Sequence, residues 1–470
     1  MNSVIRQALF YGVGLLVMKG ISFIMLPIVT RYLPVEEYGR LDVLVTLMNV
    51  GSIVAGFGIV EAVYRYYGFA KSDQERGVIV SSGFMMSALL SLVLLITALP
   101  FLPILTALIP GNLEAKSITL ALINVAIGGI TTVPLAWLRM RDLAQWFFVF
   151  TSVKAVIQGL MTFVLLEFGW GVDGVLWSGL ISNALLMAAL VFFQWRQGGM
   201  TIDTAVAKKM LVYGLPLVFG GICVFVSGGL ERWVLAGYTD TATLAKYGVA
   251  SMFALVVAFL VEPFTLWWYP KRFEFLGRDD GRALNAYYSS VGVSLSVLSA
   301  MVMCMVGPVL IKLILPESYH DAALILPVLA AAMAIKQSAH LMNVGCYVGG
   351  STSLPTKINV VLAAVSLIVY PLTVFLNGVE GVIVGVLMIN ILRFALFYFF
   401  SQKALYLQYP LTFLIRQGFC LVILVLMGSQ QPSFYSVLIL SFAVFDSAVF
   451  IKRKKLGFDL HNTRSAAGNI

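Results

Sequence analysis

Apolar residues run along this chain in blocks of about 20, and a block of that length crosses a hydrocarbon core of roughly 30 Å as a helix. The blocks fall near 8–30, 43–64, 78–99, 117–138, 146–166 and 175–195. A second six lie near 211–230, 247–269, 287–313, 324–347, 358–376 and 380–400, and a last pair near 411–428 and 434–451. Short polar breaks, the longest about seventeen residues, separate them. Only helices or closed barrels satisfy backbone hydrogen bonding in lipid, so the pattern predicts an all-α polytopic membrane protein of about fourteen transmembrane helices. The first block has no small-residue cleavage site and reads as a retained span.

The blocks repeat. Tyr11-Gly12 returns as Tyr213-Gly214, Arg31 as Arg232 and Val60-Glu61 as Val261-Glu262, the last two at an offset of 201. Gly171-Val-Asp-Gly-Val175 returns as Gly378-Val-Glu-Gly-Val382 at an offset of 207, and Pro110-Gly-Asn-Leu-Glu114 has a looser partner in Pro316-Glu-Ser-Tyr-His320. Four close matches and one looser one, in one order with a slowly drifting offset, predict two six-helix lobes related by a pseudo-two-fold repeat. The expected organisation is a first lobe over 1–205, a second over 206–405, an added helix pair over 406–451 and a basic cytoplasmic tail over 452–470.

Composition fits this class. Hydrophobic residues make up 60% of the 470 and charged ones 11%, against roughly 25% charged in a soluble domain; mean hydropathy is +0.94. The four cysteines, Cys223, Cys304, Cys346 and Cys420, lie inside apolar runs without paired spacing, as buried free thiols do. The net charge of +9 raises the question of nucleic acid. Its placement answers it, because the basic residues sit in short loops and the tail, with no soluble domain to present them. With the N-terminus inside, twenty Lys and Arg fall on the cytoplasmic side and six outside (Arg31, Arg40, Lys116, Arg232, Lys246 and Lys312). Both termini are therefore expected in the cytoplasm, with Lys452-Arg-Lys-Lys455 as a topology lock.

Catalytic chemistry finds no purchase in the pattern. There is no P-loop, zinc-type His/Glu spacing or carboxylate pair, so no metal and no cofactor are expected and the chain does not read as an enzyme. Gly169 to Gly174 matches Gly-x-Gly-x-x-Gly, but between two spans and without a β-α-β frame it is a turn.

Charges inside spans are the candidate chemistry, since each costs about 2.5 to 3.5 kcal/mol at a helix centre and normally faces water or protein. Lys19, Lys154, Lys336 and Arg393 are expected to line a cationic cavity, whereas Arg416 lies near a helix end and can snorkel. Lys154, Gln158 and Thr162 share one helical face, as do Lys336, His340, Asn343 and Tyr347. Gln158, His340 and Asn343 are thus candidate cavity-lining polar groups, with helix packing as the alternative. Of three intramembrane acids, Glu61 is either an ion pair with Arg65 four residues on or an ion-coupling group. Glu262, before Pro263, is a candidate cation or proton site. Asp446 has no assigned role. Pro134, Pro216, Pro263, Pro308, Pro327 and Pro371 offer kinks. A more cationic than anionic interior favours a phosphate- or carboxylate-bearing solute, moved by alternating access.

Leu33-Pro-Val-Glu-Glu-Tyr-Gly39, Tyr213-Gly-Leu-Pro216, Glu231-Arg-Trp-Val-Leu235 and Lys246-Tyr-Gly-Val-Ala250 resemble the polysaccharide-transport branch of the multidrug/oligosaccharidyl-lipid/polysaccharide exporter superfamily. The likeness covers essentially the whole chain. It implies a flippase of the O-antigen, capsule or exopolysaccharide type, moving an undecaprenyl-diphosphate-linked oligosaccharide across a bacterial inner membrane. It further implies coupling to a proton or sodium gradient, and work beside a polysaccharide polymerase and a chain-length regulator. This branch has no universal substrate motif, so the cations above rest on depth and charge alone. Within the same superfamily a lipid II flippase shares the fold and an anionic substrate. A multidrug antiporter would want an acid in the first span, where Lys19 stands. A membrane polymerase would need a catalytic carboxylate in a large loop, and a channel a filter-like loop.

Overall fold

A computed structural model describes residues 20–348, 353–428 and 433–467, without the side chains of 197 and 453–467. All regular structure among them is helical. In chain order the helices are α1 (Gly20–Tyr32), α2 (Val35–Gly56), α3 (Ile59–Phe69), α4 (Asp73–Ala98), α5 (Leu102–Leu108), α6 (Ala115–Met140), α7 (Ala144–Glu167) and α8 (Gly171–Gln197). They continue with α9 (Thr204–Val226), α10 (Leu230–Tyr238), α11 (Thr241–Leu276), α12 (Gly281–Ile314), α13 (Ala322–Leu341), α14 (Ser353–Ala404), α15 (Leu411–Leu426) and α16 (Phe434–Ala467). Eleven segments are long and apolar enough to cross a bilayer, by length and composition. One of them, α14, is two helices joined at Asn377 and Gly378, whose backbone angles are not helical. Counting it as two and adding the shorter apolar α1 and α15 gives fourteen, as the hydrophobic pattern predicts.

The helices continue through Pro134, Pro216, Pro263, Pro308, Pro327 and Pro371. Two breaks in helical geometry fall at or beside glycines, and a 3-10 turn over Leu99–Phe101, with Pro100, joins α4 to α5. Between α2 and α3 the chain turns through Phe57 and Gly58, with φ of 44° and 64°. The repeated Gly-Val-acid-Gly-Val motif has a structural counterpart, because Gly171 opening α8 and Gly378 in the kink of α14 both take φ of 54°. A Cβ strains that left-handed geometry, which accounts for glycine at both repeat positions. The Gly169–Gly174 match is the turn from α7 into α8, where Asp173 in the first helical turn pairs with Lys116 at 2.6 Å and accepts from Ser117 at 2.8 Å.

The chain divides into two compact units, one ending at Ala245 and one starting at Lys246. In the first, α6 packs against α2, α4, α7 and α8, and small residues allow the close approach that lipid alone does not drive. A Cβ on Gly129 would overlap Ser91 Oγ of α4. In the second, α12 packs on an alanine-rich α13, where Gly307 lies close against Leu326, and α15 and α16 pack on α12. Arg416 and Asp446 form a two-point ion pair across α15 and α16, at 2.6 and 3.2 Å, so Arg416 is matched locally and Asp446 gains a role. The block expected to stay helical to residue 347 stops at Leu341. A 3-10 turn over Val344–Tyr347 follows, because Gly345 packs on the Ser401 carbonyl and its N–H bonds Ser401 Oγ at 2.9 Å.

Gly214 lies where α9 crosses the α2–α3 break, and a Cβ there would overlap the Phe57 carbonyl oxygen. In an isolated helix Gly→Ala gains about 1 kcal/mol. Here overpacking of about 1 to 3 kcal/mol reverses the sign. Gly214→Ala is expected to lower the apparent melting temperature of the purified protein, measured by thermal unfolding in detergent, whereas the same change at Gly220, which has open space around it, is neutral or stabilising.

Candidate functional site

A cavity of about 670 Å³ opens among six helices of the first unit. Its polar groups come from helix faces set by spacing. On α6, Gly128, Thr131, Thr132, Leu135 and Arg139 recur every three or four residues along one face. On α7, Phe147, Thr151 and Lys154 do the same, and α2 adds Ser52, Ile53 and Gly56. Asn183 and Leu186 of α8 and Leu217, Val218 and Gly221 of α9 complete the wall. Glu61 enters from the first turn of α3, just past the Phe57–Gly58 break, where the positive end of the helix favours a carboxylate.

Three charged residues therefore share this space: Glu61, Arg139 and Lys154. The excess is cationic. Lys154 takes part in none of the hydrogen bonds or ion pairs found among the described residues. Arg139 lies over the rings of Phe147 and Tyr64, 5.4 and 5.8 Å from their centres, which fixes the guanidinium without neutralising it. Asn183 donates to Asn124 Oδ1 at 3.1 Å, and Asn124 in turn donates to the Leu120 and Leu176 carbonyls. No ion pair among the described residues joins Glu61 to Arg65; Arg65 stacks over Tyr213 at 4.9 Å instead. Elsewhere in the first unit, Arg232 of α10 pairs with Asp42 of α2, both largely buried.

The α7 stripe splits along its length. Lys154 lines the cavity, Gln158 is half-buried beside Gly179 of α8, and Thr162 is buried with its hydroxyl 2.6 Å from Ser178 Oγ. Arg139 reads from sequence as a topology residue at the cytoplasmic end of its span. Its spacing of seven and eight from Thr132 and Thr131 is the available sign that it shares their face.

The second unit gathers a different basic cluster. Arg272, which reads from sequence as a loop residue, lies within α11 and is 4% exposed. It donates to Asn343 Oδ1 at 3.0 Å and stands 4.1 Å from the centre of the Tyr269 ring and 5.1 Å from that of Tyr347. The Tyr269 hydroxyl donates to the His340 carbonyl at 3.2 Å. His340 lies within the electrostatic reach of Arg393, Lys336 and Arg272. Asn343 thus bonds an arginine that the hydrophobic pattern does not single out, and Lys336 and Arg393 are charged neighbours of His340. Arg393 is buried and Lys336 half-buried. Glu262 is half-buried on α11, ten residues before Arg272. Lys19 lies outside the described residues.

Truncating Arg272 leaves the Asn343 side chain without its donor in a buried network, at a cost of about 3 kcal/mol. Arg272→Ala is expected to reduce thermal stability in detergent sharply. Arg272→Lys recovers only part of it, because an ammonium keeps the charge but not the planar stack. Equal stability of all three forms would contradict this account of the cluster.

A profile described as polysaccharide biosynthesis protein matches residues 28–324. The Lsg locus putative protein 1 of Haemophilus influenzae is 24% identical over 274 residues, and the match spans 55% of this chain and 63% of that protein. Among solved structures, a lipid II flippase, MurJ, in an inward closed conformation superposes with a TM-score of 0.68 at 12% identity, over 95% of this chain and 99% of that one. An inward-facing multidrug resistance MATE transporter of the MOP superfamily gives 0.58 at 14%, over 86% and 98%. A point mutant of the Vibrio cholerae MATE transporter VcmN gives 0.55 at 16%, over 86% and 96%. At these identities the structures speak for the fold.

Proposed function

The chain belongs to the polysaccharide biosynthesis protein family, and we propose that it is a flippase for an undecaprenyl-diphosphate-linked oligosaccharide in a bacterial inner membrane. The observation that carries this reading is the 670 Å³ cavity of the first unit, with Lys154 unpaired among the described residues and Arg139 beside it. A diphosphate presents several anionic oxygens, and ammonium and guanidinium donors bind them through charge-assisted hydrogen bonds. The threonines and Asn183 offer hydroxyl and amide partners for sugar. Lys336 and Arg393, with His340 and Asn343 nearby, form the basic counterpart in the second unit. Gln158 supports the α7–α8 contact behind Lys154.

Ion coupling falls to Glu61, the acid that shares the cavity with both cations. Protonation of Glu61 raises the cavity's net positive charge and strengthens its hold on diphosphate, and loss of that proton weakens it. Glu262 is the candidate for the same task in the second unit. Both termini lie in the cytoplasm, and a polymerase and chain-length regulator act on the delivered lipid.

The test is translocation of a fluorescent undecaprenyl-diphosphate oligosaccharide in proteoliposomes. A charge-assisted hydrogen bond is worth about 1.5 to 3 kcal/mol, so Lys154→Ala lowers the initial rate roughly ten- to a hundredfold, and Lys154→Arg restores most of it. Glu61→Gln leaves residual transport that no longer responds to a proton gradient. Wild type that moves only lipid II under the same gradients would instead support the reading that shares its substrate with the MurJ fold. Orientation is checked separately: a fluorescent protein that matures only in the cytoplasm is expected to be bright when fused at the C-terminus and dark when inserted after Lys116.

A further inference from the structure

One cavity not used by this reading lies in the second unit, where the chain entering α12, the loop between α14 and α15, and α16 meet. It holds about 410 Å³, within the range of about 300 to 1,000 Å³ common for ligand pockets. Three rings line it: Tyr287 of α12, Tyr406 of the loop and Phe450 of α16. Two of them are held in place from behind, since Phe450 stacks on Phe413 at 4.2 Å and lies 5.7 Å from Tyr287, while Tyr406 is exposed. Around the rings stand Asp279, Asp280 and Arg282.

Their pairing decides what fits. Asp280 is taken up by Arg278, which grips both carboxylate oxygens at 2.9 and 3.1 Å. Asp279 and Arg282 take part in no ion pair or hydrogen bond found among the described residues, with each other or with anything else. The pocket thus offers one open carboxylate and one open guanidinium, three residues apart on one wall, beside aromatic faces. That is the complement of a small zwitterion carrying a phosphate and a protonated amine.

Depth identifies the source. Arg282 is in the first turn of α12, Pro410 immediately precedes α15, and Phe450 sits at the end of the apolar stretch of α16, which closes at Lys452. All three helices change from apolar to polar at this level, where aromatic side chains collect at a membrane interface. We propose that this pocket binds the headgroup of phosphatidylethanolamine. Arg282 takes the phosphate, Asp279 accepts from the ammonium N–H groups, and the rings pack on the glycerol and on the cation face. A choline headgroup carries no N–H for Asp279, and phosphatidylglycerol leaves Asp279 facing an anion. The inference does not depend on which solute the protein transports.

The experiment is native mass spectrometry of the full-length protein in detergent, titrated with dioleoyl phosphatidylethanolamine, its N-monomethyl and N,N-dimethyl forms, phosphatidylcholine and phosphatidylglycerol. The expected result for wild type is stepwise weakening with each added methyl, at least tenfold from ethanolamine to choline, with phosphatidylglycerol also weaker. Asp279→Asn and Arg282→Gln each remove the preference, and Tyr406→Ala weakens binding of ethanolamine lipid. The methylation series needs no variant, so the proposal remains testable even if a substitution disturbs folding. Equal binding across the series, or tightest binding of phosphatidylglycerol through the basic tail, overturns it.

Discussion

The first unit depends on one backbone crossing. Gly214 of α9 sits against the Phe57 carbonyl, where the helix begun by Val35 breaks and restarts at Ile59. Helices in lipid associate through close packing more than through hydrophobic expulsion, so a glycine at the crossing is what brings α9 to the break. Three consequences follow from that contact. The break is covered by protein, and the restarted α3 presents its N-terminal turn, with Glu61, to the cavity. Leu217, Val218 and Gly221, one and two turns further along α9, become a wall of the same space. The position of the acid and the closing wall both follow from the placement of one helix.

Much of this was legible in the hydrophobic pattern. Fourteen apolar blocks give fourteen apolar helices among the described residues, because in a bilayer the length of an apolar run is close to a direct statement of structure. The Gly-Val-acid-Gly-Val repeat was legible for a different reason: Gly171 and Gly378 adopt the same left-handed angle, and only glycine does so without strain. Lys154 stood out because a lysine inside a span is costly. Arg139 and Arg272 did not, because near a helix end a topology signal and a cavity or core residue are the same residue type. What separates them is tertiary: Arg139 against Tyr64 and Phe147, Arg272 against Asn343 and Tyr269. The same limit applied to Asp446, whose partner Arg416 lies thirty residues away on another helix.

The two basic clusters differ in kind. Arg272 is spent on structure, its guanidinium committed to an amide and stacked among rings. Lys154 has no such commitment among the described residues and opens on a cavity. A cation held in a low-dielectric space without a direct ion pair is costly, and that cost is recovered when an anionic ligand arrives. The account therefore rests on Lys154 as a ligand for charge.

The most direct measurement is equilibrium binding of the undecaprenyl-diphosphate oligosaccharide to the purified protein, wild type beside Lys154→Met, with a neutral lipid-linked oligosaccharide as reference. The account predicts that the substitution weakens the diphosphate lipid at least tenfold and leaves the neutral lipid unchanged. Equal affinity of both proteins for the diphosphate lipid would contradict it.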